Sequence, residues 1–289
     1  MIGVEMIGRT GNQLFQYAFA LAASKKLGTA FYISTASGYA FRLPNYFDLN
    51  GYSKLKNMVW RIITRFVKPR PQLIEDWTSP EDNARLIEND VLYSGFYQSE
   101  RYFQSCQADV RKAFTLKAEH RNNFEKKYGD LFRTKKILAV HVRLTDYLNF
   151  GSEELGGKNL TLPLSYYEAC LSQVNDSQYD CVFILSDDAA AAKALFGEKE
   201  QYRFSQESEI IDFQLMLNAD ALIIANSSFS WWAAYLNTRA EKVFAPKYWL
   251  GFKVKREYPV GACCQQWTAV EINLPSHLPA GLVASASTV

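Results

Sequence analysis

Three short apolar runs in the second half of the chain each end abruptly in polar residues. Residues 137–142 lead to Arg143, Asp146 and Tyr147, with His141 inside the run. Residues 181–185 lead to Ser186-Asp187-Asp188, and residues 221–225 lead to Asn226-Ser227-Ser228-Phe229-Ser230. The spacing between and after them predicts helices over 165–174, 188–196 and 209–218, a short helix from Ser230 and a further strand at Val243. Strands alternating with helices imply a parallel sheet covered on both faces. In such sheets ligands bind in the crevice beyond the carboxyl ends of the strands. One polar strand end is ordinary; three in one sheet make a rim.

The first half is organised differently. Residues 2–7 predict a strand, followed by the turn Gly8-Arg9-Thr10-Gly11 and a helix from Asn12 to Leu27. Leu14, Ala18 and Leu21, with Phe15, Phe19 and Ala22, keep the three- and four-residue spacing of a buried face. Lys25 and Lys26 suit the negative end of that helix, and Gly28 suits its cap. The turn lacks Gly-x-Gly-x-x-Gly spacing and has no Gly-Lys-Ser, which argues against NAD and P-loop sites. Residues 80–134 read as mainly helical, with 93–97 as an aromatic strand. A capping box is expected at Ser165 and Glu168. A boundary just beyond Gly129 and Asp130 gives domains 1–133 and 134–260, then a C-terminal segment, 261–289, disordered after Pro275.

At 289 residues, 48% of them hydrophobic, the chain has enough apolar material for two domains. A net charge of +2 gives no broad electrostatic reason to expect nucleic acid as partner. The five cysteines include no Cys-x-x-Cys pair and read as reduced thiols of a cytosolic protein. No run approaches the roughly 20 apolar residues of a membrane span, and no charged-then-apolar leader opens the chain. The expected location is cytoplasmic, with peripheral contact at the inner face of the membrane as an added reading. That reading rests on residues 54–70, which hold six basic residues and no acidic one among Met58, Val59, Trp60, Ile62, Ile63, Phe66 and Val67. The ordinary expectation is a surface helix with its apolar side in the core. The alternative is a helix lying on an anionic membrane or near a lipid-phosphate acceptor.

The hydroxyl residues opening the last helix place free N–H groups and a positive dipole where an anion binds well. Arg143 adds a forked, permanently charged donor, so a diphosphate suits the rim. Asp212, on the preceding helix, offers a carboxylate for two hydrogen bonds from guanine.

The stretches Gly8-Arg9-Thr10-Gly11-Asn12-Gln13-Leu14-Phe15-Gln16-Tyr17-Ala18, His141-Val142-Arg143-Leu144-Thr145-Asp146-Tyr147, Leu185-Ser186-Asp187-Asp188 and Asn226-Ser227-Ser228-Phe229-Ser230-Trp231-Trp232 occur in one order. Together they resemble the bacterial α-1,2-fucosyltransferases of glycosyltransferase family 11, over residues 8 to about 250. The resemblance implies an α/β fold of GT-B type, two Rossmann-like domains facing across a cleft, the first on the acceptor side and the second binding GDP-fucose. It further implies inverting transfer of L-fucose from GDP-β-L-fucose to the 2-hydroxyl of a terminal galactoside, with no metal and no cofactor. The acceptor class is a galactose-terminated oligosaccharide or a lipid-linked glycan.

By position, Arg143 would hold the β-phosphate and support the leaving GDP, and His141 would orient the diphosphate or the sugar. Asp212 would read guanine, and Ser227, Ser228 and the Phe229 backbone would hold ribose and phosphate. Asp187 and Asn226 complete that wall. Gly11, Asn12 and Gln13 would face donor and acceptor from the first domain, Asn12 within the catalytic group; a helix N-cap is the other reading of Asn12. Asp146 is the first choice of general base, with Glu153 and Glu154 as alternatives and a structural bond to Arg143 as its competing role. Leu144 departs from the family, which has a second arginine there.

Three other readings stay open. One is a metal-dependent GT-A transferase using Ser186-Asp187-Asp188, against which stand Arg143 and the lack of an Asp-x-Asp spacing. The others are a fucosyltransferase of another linkage, and a nucleotide-sugar or glycan-binding protein without catalysis.

Overall fold

The computed structural model describes residues 1–49 and 51–274; the disorder expected after Pro275 lies outside them. Four strands, β1 (Ile2–Met6), β2 (Phe31–Thr35), β3 (Arg70–Leu73) and β4 (Val91–Ser94), form a parallel sheet in the order β2-β1-β4-β3. Six more form a second parallel sheet in the order β10-β9-β8-β5-β6-β7. These are β5 (Ile137–Val142), β6 (Cys181–Ser186), β7 (Tyr202–Phe204), β8 (Ala221–Ile223), β9 (Lys242–Pro246) and β10 (Thr268–Val270). The helices are α1 (Thr10–Leu27), α2 (Leu43–Tyr46), α3 (Lys54–Ile63), α4 (Pro80–Arg85), α5 (Gln107–Ala113), α6 (Ala118–Thr134), α7 (Leu164–Val174), α8 (Ala189–Phe196), α9 (Glu209–Leu217) and α10 (Ser228–Leu236). The two sheets are Rossmann-like and the arrangement is of GT-B type. No helix among the described residues is long and apolar enough to cross a membrane.

Every residue of β5 is buried, as a continuous apolar run requires of a central strand. From β5 the second sheet is wound outward both ways, to β6 and β7 on one side and to β8, β9 and β10 on the other. The crevice therefore opens between the C-terminal ends of β5 and β8. β7 and β10 have three residues each, too few to show a period in the sequence.

Packing shifts the boundaries read from the sequence. α6, assigned to the first domain, turns Tyr128 and Phe132 onto Phe183 of β6, with ring centroids 5.7 and 6.1 Å apart, and so covers the second sheet. β10 draws part of the C-terminal segment into that sheet as well. α7 starts at Leu164 with Pro163 in the cap position and no side-chain cap bond, so Ser165 lies inside the first turn and the capping box is not formed. α1 begins at Thr10 with Arg9 in the cap position, which places Asn12 in the first turn rather than at a cap. Gly28 closes α1 in the left-handed conformation at φ 61°, as its spacing suggests.

α1 is buried on nearly every side because it lies between the two domains. The Phe15 ring is 4.5 Å from Trp231 and 4.9 Å from Trp232 of α10, and Phe103 stacks on Trp232 at 5.3 Å. Aromatic pairs of this kind add about 0.5–1.5 kcal/mol each beyond the area they bury. A single hydrophobic cluster thus runs from the first domain into the second. α3 departs from expectation: none of its residues is buried, so its apolar side is not in the core.

Candidate active site

β5 carries His141 and delivers Arg143 just past its end. His141 is 6% exposed; burial, helped by the Arg143 charge and opposed by Asp187, pulls its pKa down to about 3. It is therefore neutral near pH 7, and its buried Nδ1 has no hydrogen-bond partner. The Arg143 guanidinium is 2.6 Å from Asp146 Oδ1 and 3.2 Å from Asp187 Oδ2, and lies 5.5 Å from the centre of the Tyr147 ring. Its Nε is also buried without a partner. A buried polar atom left unpaired costs about 1–3 kcal/mol, so both atoms fit a ligand that brings hydrogen-bonding partners to this wall.

The neighbouring strand ends lock the arginine in place. Asp187, after β6, accepts bonds from the Leu144 N–H at 2.9 Å and from the Thr145 hydroxyl. Burial pushes its carboxyl up, but those bonds and the Arg143 charge outweigh that and hold it below the ordinary carboxylate range. Tyr147 donates its hydroxyl to the backbone carbonyl of Asn226 at 2.9 Å, tying the loop after β5 to the end of β8. Asn226 donates its amide to Leu160 O at 3.0 Å and leaves Oδ1 unpartnered. Asp188 caps α8 by accepting from the Ala191 N–H at 2.9 Å. Asp187 is paired to arginine and Asp188 is engaged at a helix start. Among the described residues no three His, Cys, Asp or Glu side chains are grouped to hold a metal ion.

α10 starts at Ser228, two residues earlier than its sequence suggests, with Ser227 in the cap position making no side-chain cap bond. The Ser228 hydroxyl donates to Asn12 Oδ1 at 2.8 Å, and Gln98 donates to the same oxygen at 3.1 Å. Gly11 approaches so closely that a Cβ there would sit 2.5 Å from the Phe229 nitrogen. The first turns of α1 and α10, one from each domain, therefore abut, and neither contains an acidic residue. Each helix start carries roughly half a positive charge. Arg143 and Arg9, whose guanidinium is 3.8 Å from Asp146 Oδ2, stand at the same seam. The paired helix starts suit an anion, beside two guanidiniums whose charge Asp146 and Asp187 balance.

Other site candidates lie further out or have other tasks. Asp212, in the first turn of α9, accepts from the Ser205 hydroxyl at 2.5 Å. Burial raises its pKa to about 6, opposed by that bond and assisted by Glu207. Its neighbour Phe213 has its ring 5.4 Å from Phe229, whose ring is 6.0 Å from His141, while the Asp212 carboxylate itself faces Ser205 and the charge of Glu207. Gln13 is fully buried, donating to Gly8 O at 3.2 Å and Ala40 O at 2.8 Å and accepting from the Arg42 N–H at 2.9 Å. Its amide is consumed in holding the loop around residues 40–42. Glu154 accepts from Trp77 Nε1 at 3.2 Å, and Glu153 shares its short 3-10 turn.

Sequence reasoning assigned no role to Arg9, Gln98, Thr145 or Tyr147. Gln98 follows β4 closely, so the strand-end rule applied to the first domain would have singled it out. Arg9 lies in the quoted turn, but only the facing of the two domains brings it to Asp146.

A model of the family described as Glycosyl transferase family 11 matches residues 1–270. The chain is 28% identical to an alpha-1,2-colitosyltransferase of Escherichia coli, over 94% of this chain and 99% of that protein. It is 23% identical to galactoside alpha-(1,2)-fucosyltransferase 1 of Oryctolagus cuniculus, over 92% of this chain and 72% of that one. Among solved structures, fucosyltransferase NodZ from Bradyrhizobium superposes with a TM-score of 0.57 at 16% identity, covering 84% of this chain and 93% of that one, a likeness of fold.

Proposed function

The chain belongs to glycosyl transferase family 11 and is a glycosyltransferase, and from that premise we propose that it moves L-fucose from GDP-β-L-fucose to the 2-hydroxyl of a terminal galactoside, with inversion. The observation that carries this reading is the meeting of the α1 and α10 starts at Asn12 and Ser228, beside Arg143. A nucleoside diphosphate is the anion that this junction suits.

In the proposed reaction the C1–oxygen bond to the β-phosphate breaks and GDP leaves with the electron pair. The acceptor oxygen bonds C1 from the opposite face as its proton passes to solvent water. The sugar passes through an oxocarbenium-like state, so the developing phosphate charge is what must be stabilised. Arg143 supplies that charge, and the helix starts add theirs. Neutral His141 supports the donor by hydrogen bonding rather than by acid catalysis. Asp212 takes the guanine base. The engagement of Asp146 with two guanidinium groups favours a positioning role over that of general base.

The test is transfer from GDP-fucose to a panel of type 1 and type 2 galactosides and lactose, with product linkage determined by NMR. An α-1,2-linked product is expected. A different linkage, or tight GDP binding with neither transfer nor donor hydrolysis, would overturn the proposal in favour of another fucosyltransferase or a binding protein. The likeness to a colitosyltransferase favours one second reading, in which the donor sugar is colitose, the 3-deoxy counterpart of fucose. GDP-colitose run in parallel decides it by the ratio of kcat/KM values.

A further inference from the structure

The feature that the proposed reaction leaves unused is α3 and the turn that follows it. α3 packs beside β2, the edge strand of the first sheet, through Asn57. The Asn57 side chain accepts from the Ile33 N–H at 2.6 Å and donates to the Ile33 carbonyl at 3.2 Å. Helical turns continue to Val67, whose N–H bonds Ile63 O at 3.0 Å. At about 100° per residue, Asn57, Trp60 and Thr64 share one side, and these are the partly sheltered residues of the segment. Leu55, Met58, Val59, Ile62 and Phe66 fall on the opposite side. They are exposed, Leu55 to 67% and Phe66 to 84%.

The helix is therefore fixed to the protein by a narrow side of Asn57, Trp60 and Thr64 and turns its aliphatic side chains to solvent, the reverse of an ordinary surface helix. Basic residues flank the apolar stripe: Lys54, Arg61, Arg65 and Lys68 on one side and Lys56 on the other. The stretch 54–70 contains no carboxylate. An apolar stripe bordered by cations alone complements a surface that is apolar inside and anionic at its rim.

We propose that α3 and its following turn dock this protein on an anionic lipid bilayer, with Leu55, Val59, Ile62 and Phe66 in the acyl boundary and the flanking cations on lipid phosphates. The proposal stands apart from the identity of the sugar donor, and its test uses no substrate. Full-length protein is sedimented with vesicles of phosphatidylcholine alone and of phosphatidylcholine mixed with phosphatidylglycerol. Binding is expected to the mixed vesicles, weakly to the neutral ones, and to fall as salt is raised. The double variant Arg61→Glu/Arg65→Glu is expected to weaken it at least about ten-fold, and Phe66→Ser to weaken it on both vesicle types. Thermal unfolding midpoints unchanged from the parent show that both variants fold. Absence of binding to anionic vesicles overturns the proposal, as does binding indifferent to lipid charge or to the double reversal. A concentration-dependent dimer that Phe66→Ser abolishes, without vesicle binding, would instead give this face to a second copy of the chain.

Discussion

Arg143 and Asp146 form an ion pair at 2.6 Å across a single turn, with Arg9 from the other domain 3.8 Å from the second oxygen of the same carboxylate. The carboxylate thereby aligns one guanidinium and links the two domains. Asp146→Asn keeps one hydrogen-bonding oxygen, so turnover is expected to stay within about ten-fold of the parent. A loss beyond about a hundred-fold, with a flattened pH–rate profile, would return Asp146 to the role of general base.

In the proposed reaction, Arg143→Ala removes the charge that stabilises the departing diphosphate. Losing a preorganised stabiliser of developing charge costs about 100- to 1,000-fold in kcat, and that loss is expected here. Arg143→Lys is expected to recover only part of it, because a point charge cannot replace the fork that meets both Asp146 and Asp187. The check is steady-state kinetics on variants whose unfolding midpoint matches the parent.

In the proposed role of Asp212 as the guanine contact, donor capture acquires a pH dependence of definite sign. With its pKa raised to about 6 by burial, it is protonated below that pH and loses the charge that would strengthen the proposed bonds to guanine. kcat/KM for the donor is expected to fall as the pH drops through about 6. Asp212→Asn should abolish that limb at a lower plateau. Ser205→Ala removes the hydrogen bond that opposes the shift, so the limb should move to higher pH.

Gly11→Ala tests the seam itself. The added methyl meets the Phe229 nitrogen and the Ser228 carbonyl carbon, which are backbone atoms that cannot rotate away. Crowding of this sort costs about 1–3 kcal/mol. A lowered unfolding midpoint together with weaker GDP binding by calorimetry is the expected pair of results.

The rim of the second domain was legible because an apolar run fixes where a strand ends, and the polar residues after 142, 185 and 225 had to lie at one edge. The order of the strands was not, since local patterning does not say that β8 lies beside β5. Periodicity marked residues 54–70 as amphipathic but could not tell which side faced the protein. The two hydrogen bonds from Asn57 to Ile33 decide that. Leu144, which stands where the family resemblance implies a second arginine, is partly buried against the core while its N–H serves Asp187. The backbone at that position has a task that any residue but proline leaves intact.

Asn57 has one more consequence. Ile33 lies on the outer strand of the first sheet, where an unpaired N–H and C=O invite a strand from another molecule. By filling both groups, Asn57 blocks strand addition at the middle of β2. An Asn57→Ala protein is therefore expected to scatter light on concentration while turnover per folded molecule holds, which makes this amide a guard against aggregation.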